Sequence, residues 1–454
     1  MSTVVILSVG VAIAVVLPVA WRVRQGRFDP FEPIVVFALA WGVMFVVRPL
    51  AIAIRDDTIF YGVDIEPTLD KAVLLGLVGA VAFVVGYETS IGRRLAARAA
   101  TPAPAVRSDA ALVGALVVAG VGLIAFVLVL LPGGFDAVGT FFDGRSSELN
   151  ELIDGSSSYL WYGSLVVVPA ALIGVSVALS DRRAWVVGVG AMLVGLALAR
   201  TVPTGNRVFL IVLVGGIVVF AYLRLQRRPG TAALCGGLLL ALLVSSAALT
   251  FRYPETRDSL GSVLRNLVST PTAALEPLYE GPDAEMAPAL AGALIVVPER
   301  LPYRFGGATI GDLVIRPIPR QLWAEKPVTP GQEVAAKVWP GAVEEGAFDP
   351  AFTPMLTFFW DFAVFGVVVG MAAIGALARF LREYLAAHER AFGAQLLFAA
   401  GVWFLVVALR HDTTLVTVWG AILFGPLLAV LRAARVGGER AAVPAPLESR
   451  SQPS

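Results

Sequence analysis

Long apolar runs, separated by short polar segments, dominate the chain. Most runs have the roughly 17–25 residues that a helix needs to cross the hydrocarbon core of a bilayer. They are too long and too continuous for the strands of a membrane barrel, so each predicts a helix. The pattern predicts an all-α polytopic integral membrane protein with about eleven transmembrane helices. The runs cover residues 2–20, 33–54, 72–90, 109–132, 159–180, 184–199, 208–223, 231–250, 355–378, 391–409 and 414–431.

A long segment rich in proline and glycine interrupts this series between the eighth and ninth runs. Within it, residues 259–268 have the pattern of a short amphipathic helix. Residues 287–297 are apolar but too short to span, which predicts an interfacial or re-entrant helix. The predicted organisation has four parts: helices 1–8 in residues 1–250, one large external loop in 251–354, helices 9–11 in 355–435, and a disordered cytoplasmic tail in 436–454.

The composition narrows the class of protein further. Of 454 residues, 57% are hydrophobic and only 15% are charged, against roughly 45–50% and about 25% in soluble domains. This excludes a soluble enzyme, a disordered protein and a nucleic-acid-binding protein. A single cysteine, Cys235, cannot form an internal disulfide, and with only two histidines it makes a His/Cys metal site improbable. We therefore expect neither a metal nor another cofactor.

The basic residues predict the orientation of the chain. The first residues carry no positive side chain, whereas three arginines follow the first apolar run, which places the N-terminus outside. When the connections are alternated from there, every inside segment is basic and the C-terminus is cytoplasmic. The inside arginines are Arg22, Arg24, Arg27, Arg93, Arg94, Arg98, Arg107, Arg182, Arg183, Arg224, Arg227, Arg228, Arg379, Arg382, Arg390, Arg432, Arg435 and Arg440.

Ionisable residues are nearly absent from the middle of the predicted spans. Arg48, Arg200 and Asp361 lie near outer ends, and Glu88 lies near an inner end. A transporter or pump places its telling ionisable groups within the spans. The pattern therefore predicts that the chemistry of this protein takes place at the outer boundary between membrane and water.

The large loop separates its charges along the sequence. Residues 300–337 hold six bases (Arg300, Arg304, Arg316, Arg320, Lys326 and Lys337) but three acids, in a stretch with Gly306-Gly307, Pro317 and Pro319. Prolines restrict the backbone, and glycines let it approach a ligand closely. An arginine-lined groove suits a phosphate-bearing lipid, because a guanidinium grips phosphate with two parallel hydrogen bonds. The alternative is that these arginines pair with the loop's own acids.

Two further outer positions are candidates. Arg207 follows a Gly205-Asn206 turn just outside a span, where the alternative is snorkelling toward lipid headgroups. Arg410, His411 and Asp412 cap the outer end of another span. A histidine can accept a proton near neutral pH, so His411 is a candidate base, and the alternative is an interfacial polar cap.

The stretch Pro319-Arg320-Gln321-Leu322-Trp323-Ala324-Glu325-Lys326-Pro327 resembles a segment in the large external loop of bacterial O-antigen polymerases, the Wzy-type oligosaccharide repeat-unit polymerases. Two other stretches are similar to the same family. Gly205-Asn206-Arg207 resembles the arginine before a middle span, and residues 354–366 resemble the re-entry into the span after the loop.

The resemblance implies a glycosyltransferase of the bacterial plasma membrane. Such an enzyme transfers a growing glycan from its polyprenyl diphosphate carrier to a newly flipped lipid-linked repeat unit. The implied partners are a polyprenyl-diphosphate-linked oligosaccharide, membrane lipid, and the chain-length regulator and flippase of the same pathway. External cations would stabilise the diphosphate leaving group electrostatically; the candidates are Arg207, Arg304, Arg320, Arg410 and the weaker Lys326. The acceptor hydroxyl needs a base, for which His411, Asp412 and Asp361 are the candidates.

Three other functions stay open at this stage. The nearest is an O-antigen-ligase-like enzyme, which differs in the acceptor and not in the physics of the site. A lipid-linked oligosaccharide flippase or transporter would need polar residues lining the spans. The third is a non-catalytic partner of a polysaccharide export complex.

Overall fold

The computed structural model describes most of the chain. The described residues are 2–102, 105–143, 158–204, 207–225, 269, 281, 284–318, 322–323, 325–344 and 352–435. Their helices are α1 Ser2–Arg24, α2 Pro33–Arg55, α3 Glu66–Glu88, α4 Ser90–Arg98, α5 Ser108–Leu130, α6 Gly134–Asp143, α7 Tyr159–Ser180, α8 Ala184–Thr201, α9 Arg207–Leu225, α10 Met286–Val296, α11 Asp312–Ile315, α12 Pro330–Val338, α13 Pro340–Glu344, α14 Pro354–Ala387, α15 Phe392–Arg410 and α16 Thr413–Ala433.

The predicted class is confirmed: this is an all-α polytopic membrane protein. Among the described residues, ten helices are long and apolar enough to cross a membrane, and each overlaps one predicted run. They are α1, α2, α3, α5 with its continuation into α6, α7, α8, α9, α14, α15 and α16. The remaining predicted run (231–250), the predicted amphipathic helix (259–268) and the tail (436–454) lie outside the described residues.

The helices present two chemically different ends. At one end, Arg22 of α1 pairs with Glu88 of α3 at 2.6 Å, and Arg183 pairs with Asp109 of α5 at 2.8 Å. The Arg107 amide also donates to the carbonyl of Ala434 there, at 2.9 Å. We call this the basic end, because it collects the connections that carry the predicted inside arginines. The opposite end, the loop end, holds the described part of the large loop.

A short hairpin and the buried helix α10 form part of the loop end. Strands β1 Ile59–Phe60 and β2 Val63–Asp64 pair antiparallel, with Ile59 opposite Asp64. The indole of Trp339 donates to the carbonyl of Phe60 at 2.9 Å, which ties the loop to this hairpin. The predicted short helix at 287–297 is confirmed as α10. It is enclosed almost completely by protein, as a re-entrant helix would be and an interfacial helix would not.

Glycines allow α3 and α14 to pack in very close contact. A Cβ on Gly86 would lie 2.0 Å from the carbonyl oxygen of Ala372. A Cβ on Gly375 would lie 2.1 Å from the carbonyl oxygen of Phe83. Small residues at such crossings let helix backbones approach and gain van der Waals contact where lipid offers no hydrophobic driving force. This crossing fixes α14, which carries one wall of the loop end.

Helix α14 is broken near its start. Phe362 has φ −140° and ψ 28°, and Ala363 has φ 51° and ψ −144°, so the hydrogen-bonded helix is interrupted between them. The first part of α14 therefore belongs to the loop end, and residues 364–387 continue toward the basic end. Positive φ is unusual for a residue with a side chain and needs support from its surroundings. That support comes from the contacts of Asp361.

Candidate functional site at the loop end

Asp361 holds the turn of the large loop at Ala308 and Thr309. Its Oδ1 accepts from the amide of Ala308 at 2.8 Å, and its Oδ2 accepts from the amide and the hydroxyl of Thr309 at 2.9 and 2.6 Å. The residue is fully buried. Protein donors thus occupy three of the roughly four lone-pair sites of this carboxylate. This geometry favours a positioning role for Asp361 over the role of a base.

Arg304 lies on the loop side of the same turn. Its guanidinium stacks 4.2 Å from the ring centroid of Trp360, and its Nη2 donates to both oxygens of Glu333 at 2.5 and 2.6 Å. The side chain is about one-third exposed, at 34%. Phe305 follows with φ 49°, and its side chain is exposed. Arg304 is therefore paired with a loop acid, yet it stays accessible.

Arg316 forms the second ion pair within the loop. Its Nε and Nη2 donate to Oδ1 of Asp312 at 2.9 and 2.6 Å, four residues earlier on the same turn. Nη2 also donates to the carbonyls of Pro327 and Val328 at 2.8 and 3.0 Å. One guanidinium thus closes the segment between residues 316 and 328. Arg304 and Arg316 therefore pair with acids of the loop, which was the alternative interpretation of the sequence.

Lys326 also connects the two ends of this segment through hydrogen bonds. Its Nζ donates to the carbonyls of Arg316 and Ile318 at 2.7 and 2.8 Å and to the hydroxyl of Tyr159 at 3.3 Å. An ammonium has three donors, and here all three have protein partners. The side chain is buried. The structure therefore favours a role for Lys326 in holding the loop, and its predicted contact with a diphosphate is not needed to explain it.

Asp412 caps α16 at the point where the chain turns between two spans. Its Oδ1 accepts from the amides of Thr414 and Leu415, each at 3.0 Å, as an N-cap carboxylate does. The hydroxyl of Thr414 in turn donates to Oδ2 of Asp312. Thr414 thus connects two buried carboxylates, one from the loop and one from the end of a span.

The surroundings of Asp412 shift its proton affinity. Burial raises the pKa of Asp412 to about 6, and the neighbouring charge of Asp312 adds to the rise, while the two amide donors and Arg316 oppose it. Its Oδ2 lies only 3.6 Å from the place that a Cβ of Gly331 would occupy. A carboxylate with such a pKa is ionised at neutral pH and is still basic enough to accept a proton in a reaction.

The other predicted residues lie in different settings. The ring of His411 packs edge-on against Trp419, with centroids 4.6 Å apart, and the Arg410 side chain is buried beside it. Arg207 begins α9, but its side chain is outside the described residues, and so is the whole of Arg320. In the described structure, Asp412 therefore lies close to Asp312 and Gly331 of the loop. Asp361 and Lys326 hold that loop in place.

Sequence reasoning missed Asp312 and Thr414, and it named Arg316 only as one of the six loop bases. The acid and the arginine are four residues apart, a spacing at which side chains on one helix face pair. That signal was present in the sequence. The contact of Thr414 with Asp312 joins positions 102 residues apart and had no local signal. Within the described ranges, no group of three or more His, Cys, Asp and Glu side chains could hold a metal ion.

The loop end thus contains a buried aspartate with a near-neutral pKa beside a loop held by guanidinium and ammonium groups. Such a site can take a proton from a hydroxyl, and the partly exposed Arg304 can present a cation to an anionic group. Comparison with protein-family models, with curated proteins and with solved structures found no match to this chain.

Proposed function

We propose that this protein is a membrane glycosyltransferase that polymerises polyprenyl-diphosphate-linked oligosaccharide repeat units into a cell-envelope polysaccharide. The observation that carries the proposal is Asp412, a buried carboxylate with a pKa of about 6 next to the cationic loop. The sequence resemblance in residues 319–327 supports the same activity. In the proposed topology the loop end faces the outside of a bacterial plasma membrane and both termini follow the predicted orientation.

The proposed reaction is a single displacement at an anomeric carbon. A hydroxyl of the incoming lipid-linked repeat gives its proton to Oδ2 of Asp412, and its oxygen forms a bond to the anomeric carbon of the growing glycan. The bond between that carbon and the diphosphate oxygen breaks, and the electron pair leaves with the polyprenyl diphosphate. A base with this pKa is matched to a reaction near neutral pH.

Cations stabilise the charge that develops on the diphosphate. Arg320, which the sequence resemblance includes among the diphosphate contacts, lies between Arg316 and Lys326 in the sequence. Arg304 contributes when its guanidinium exchanges Glu333 for a phosphate oxygen, which its partial exposure allows. Arg207 and Arg410 complete the proposed set, while Lys326 and Asp361 position the loop.

The direct test is an incubation of the purified protein with polyprenyl-diphosphate-linked repeat units. We expect a ladder of glycan products from the wild-type protein and none from the Asp412→Asn variant, whose size-exclusion profile should be unchanged. A single transfer to a non-polymeric acceptor, with no ladder, would contradict the proposal and favour a ligase.

The same assay tests the predicted independence from metal ions. We expect the ladder to form equally well in EDTA, because arginines are proposed to neutralise the diphosphate. Loss of the ladder in EDTA and recovery with Mg²⁺ or Mn²⁺ would contradict this mechanism. Glu344, Glu345 and Asp349 are then the first residues to replace.

A further inference from the structure

Arg200 lies in an aromatic cage whose residues are not part of the site described above. Its guanidinium carbon is 3.9 Å from the ring centroid of Trp161, 5.2 Å from that of Phe126 and 5.7 Å from that of Phe141. Nε donates to the hydroxyl of Ser164 at 2.7 Å, and Nη2 donates to the carbonyl of Trp161 at 3.2 Å. The residue is 3% exposed.

Among the residues that the structure describes, none forms an ion pair with Arg200. Its Nη1 is buried without a hydrogen-bond partner. Cation–π contacts are weak individually, and they offset only part of the cost of burying an unpaired charge. A guanidinium in this position is poised for an anion.

Helix α6 covers the cage as a separate element. It follows a short turn at Leu131–Gly133 and begins at Gly134, where φ is 59°. Its inner face buries Phe141, whose ring lies 4.7 Å from that of Phe126. Its outer face exposes Phe135 almost completely, at 96%. A short amphipathic helix with aromatic residues on its free face is suited to the headgroup boundary of a bilayer.

We propose that Arg200 is the binding site for the phosphate group of a membrane lipid, and that α6 is the flap that opens to admit it. The phosphate accepts two parallel hydrogen bonds from the guanidinium, including one from Nη1. The apolar tail lies against Trp161 and Phe126 once Phe141 has moved away with α6. The phosphate comes either from a bilayer glycerophospholipid or from an isoprenoid carrier. The site does not depend on the glycan chemistry proposed above.

Binding is measured by native mass spectrometry of the full chain in a neutral detergent. Two matched pairs of probes separate the sources: dioleoyl phosphatidylglycerol against dioleoylglycerol, and farnesyl phosphate against farnesol. We expect the wild-type protein to retain at least one phosphate-bearing probe and to lose its matched alcohol. Preference for phosphatidylglycerol identifies a bilayer lipid, and preference for farnesyl phosphate identifies a carrier. No preference within either pair would overturn the proposal without any variant.

Three variants locate the site. Arg200→Gln should weaken retention of the phosphate probe roughly ten-fold or more, on the scale of hydrogen bonds to charged groups. Arg200→Lys keeps the charge but loses the two-point grip, and it should give an intermediate loss. Arg98→Gln, at an exposed arginine of the basic end, is the control and should change nothing. Equal retention by the Arg200→Gln and wild-type proteins would overturn the assignment.

The flap is tested by a variant that is expected to tighten binding and not to weaken it. Phe141→Ala removes the ring that holds α6 over the cage, so it weakens the closed state and should tighten phosphate-lipid binding. The result also tests whether Arg200 has only a structural role. In that case Phe141→Ala would lower thermal stability without tightening phosphate-lipid binding. Weaker retention of the phosphate probe by the Phe141→Ala variant, in which Arg200 is intact, would contradict the proposal that α6 is a flap.

Discussion

At the scale of single residues, Asp412 combines two opposing influences. Its backbone donors at Thr414 and Leu415 favour the ionised form, as at any helix N-terminus. Burial and the charge of Asp312 favour the protonated form and prevail, which raises the pKa to about 6. The site therefore depends on a second carboxylate that makes no direct contact with the first but shares Thr414 with it.

The pH dependence of the reaction follows from this arrangement. If Asp412 is the base, as proposed, it acts in its ionised form, so turnover should fall about ten-fold per pH unit below pH 6 and level off above it. Asp312→Asn removes a negative charge, so the pKa of Asp412 should fall and the acid limb should move to lower pH. A pH–rate profile of both proteins checks this. An acid limb that stays in place in Asp312→Asn would exclude the coupling.

Arg320 offers a test of the proposed grip on the diphosphate. Arg320→Lys keeps the charge but loses the planar pair of donors, so turnover should fall roughly ten- to several-hundred-fold. Arg320→Ala should fall further, and both proteins should retain the wild-type melting temperature. Arg440→Ala, in the predicted cytoplasmic tail, is the matched control. Normal turnover of Arg320→Lys would remove Arg320 from the site.

The sequence predicted the type of each candidate residue and the side of the membrane on which it lies, but not its partners in the folded protein. Asp361 was recognisable as an ionisable group at the end of a span, yet its partners are amides 52 and 53 residues away. Lys326 was recognisable as a loop cation, but its three acceptors, two of them backbone carbonyls, become evident only once the loop is folded. Asp412 was one of three candidate bases, and what sets it apart is its connection through Thr414 to Asp312 of the loop together with a pKa raised to about 6.

At the scale of elements, apolar runs predicted the helices well because the bilayer leaves the backbone no other way to satisfy its hydrogen bonds. The short helix α10 was also predictable from its length. The break in α14 was not, since residues 355–378 form one continuous apolar run. It arises from contacts of Asp361 with the loop, which no local pattern records.

The close crossing of α3 and α14 makes a specific prediction about glycines. Gly86→Ala would place a methyl group 2.0 Å from the carbonyl oxygen of Ala372, so the helices must separate. We expect the free energy of unfolding to fall by about 1–3 kcal/mol, as in other overpacked cores. Gly120→Ala in α5 is the control, because nothing lies within 4 Å of its added Cβ. Thermal unfolding in detergent measures both, and equal melting temperatures would contradict the crossing.

At the scale of the whole molecule, the structure separates the charged groups into two ends. The ion pairs Arg22–Glu88 and Arg183–Asp109 lie at the basic end, and the ion pairs Arg304–Glu333 and Arg316–Asp312 lie at the loop end. The alternation of basic connections in the sequence predicted this division, because each span reverses the direction of the chain. Which end faces the outside of the cell follows only from the positive-inside bias.

Cysteine labelling decides the orientation. In a protein whose native Cys235 is replaced by serine, Leu322→Cys lies at an exposed position of the loop end and Gln25→Cys at an exposed position of the basic end. A membrane-impermeant maleimide should label the first in intact cells and the second only after permeabilisation. The reverse pattern would place the proposed site in the cytoplasm, where no flipped lipid-linked repeat is available.

The break in α14 also determines how the protein responds to membrane thickness. The helix has 34 residues, about 51 Å if it were straight, whereas residues 364–387 alone are about 36 Å long. A span of this length accommodates a thinner or thicker bilayer by tilting. Because the tilt is taken up at Phe362 and Ala363, the eight residues before them stay fixed to the loop through Asp361. The geometry around Asp412 is thereby insulated from the thickness of the surrounding lipid.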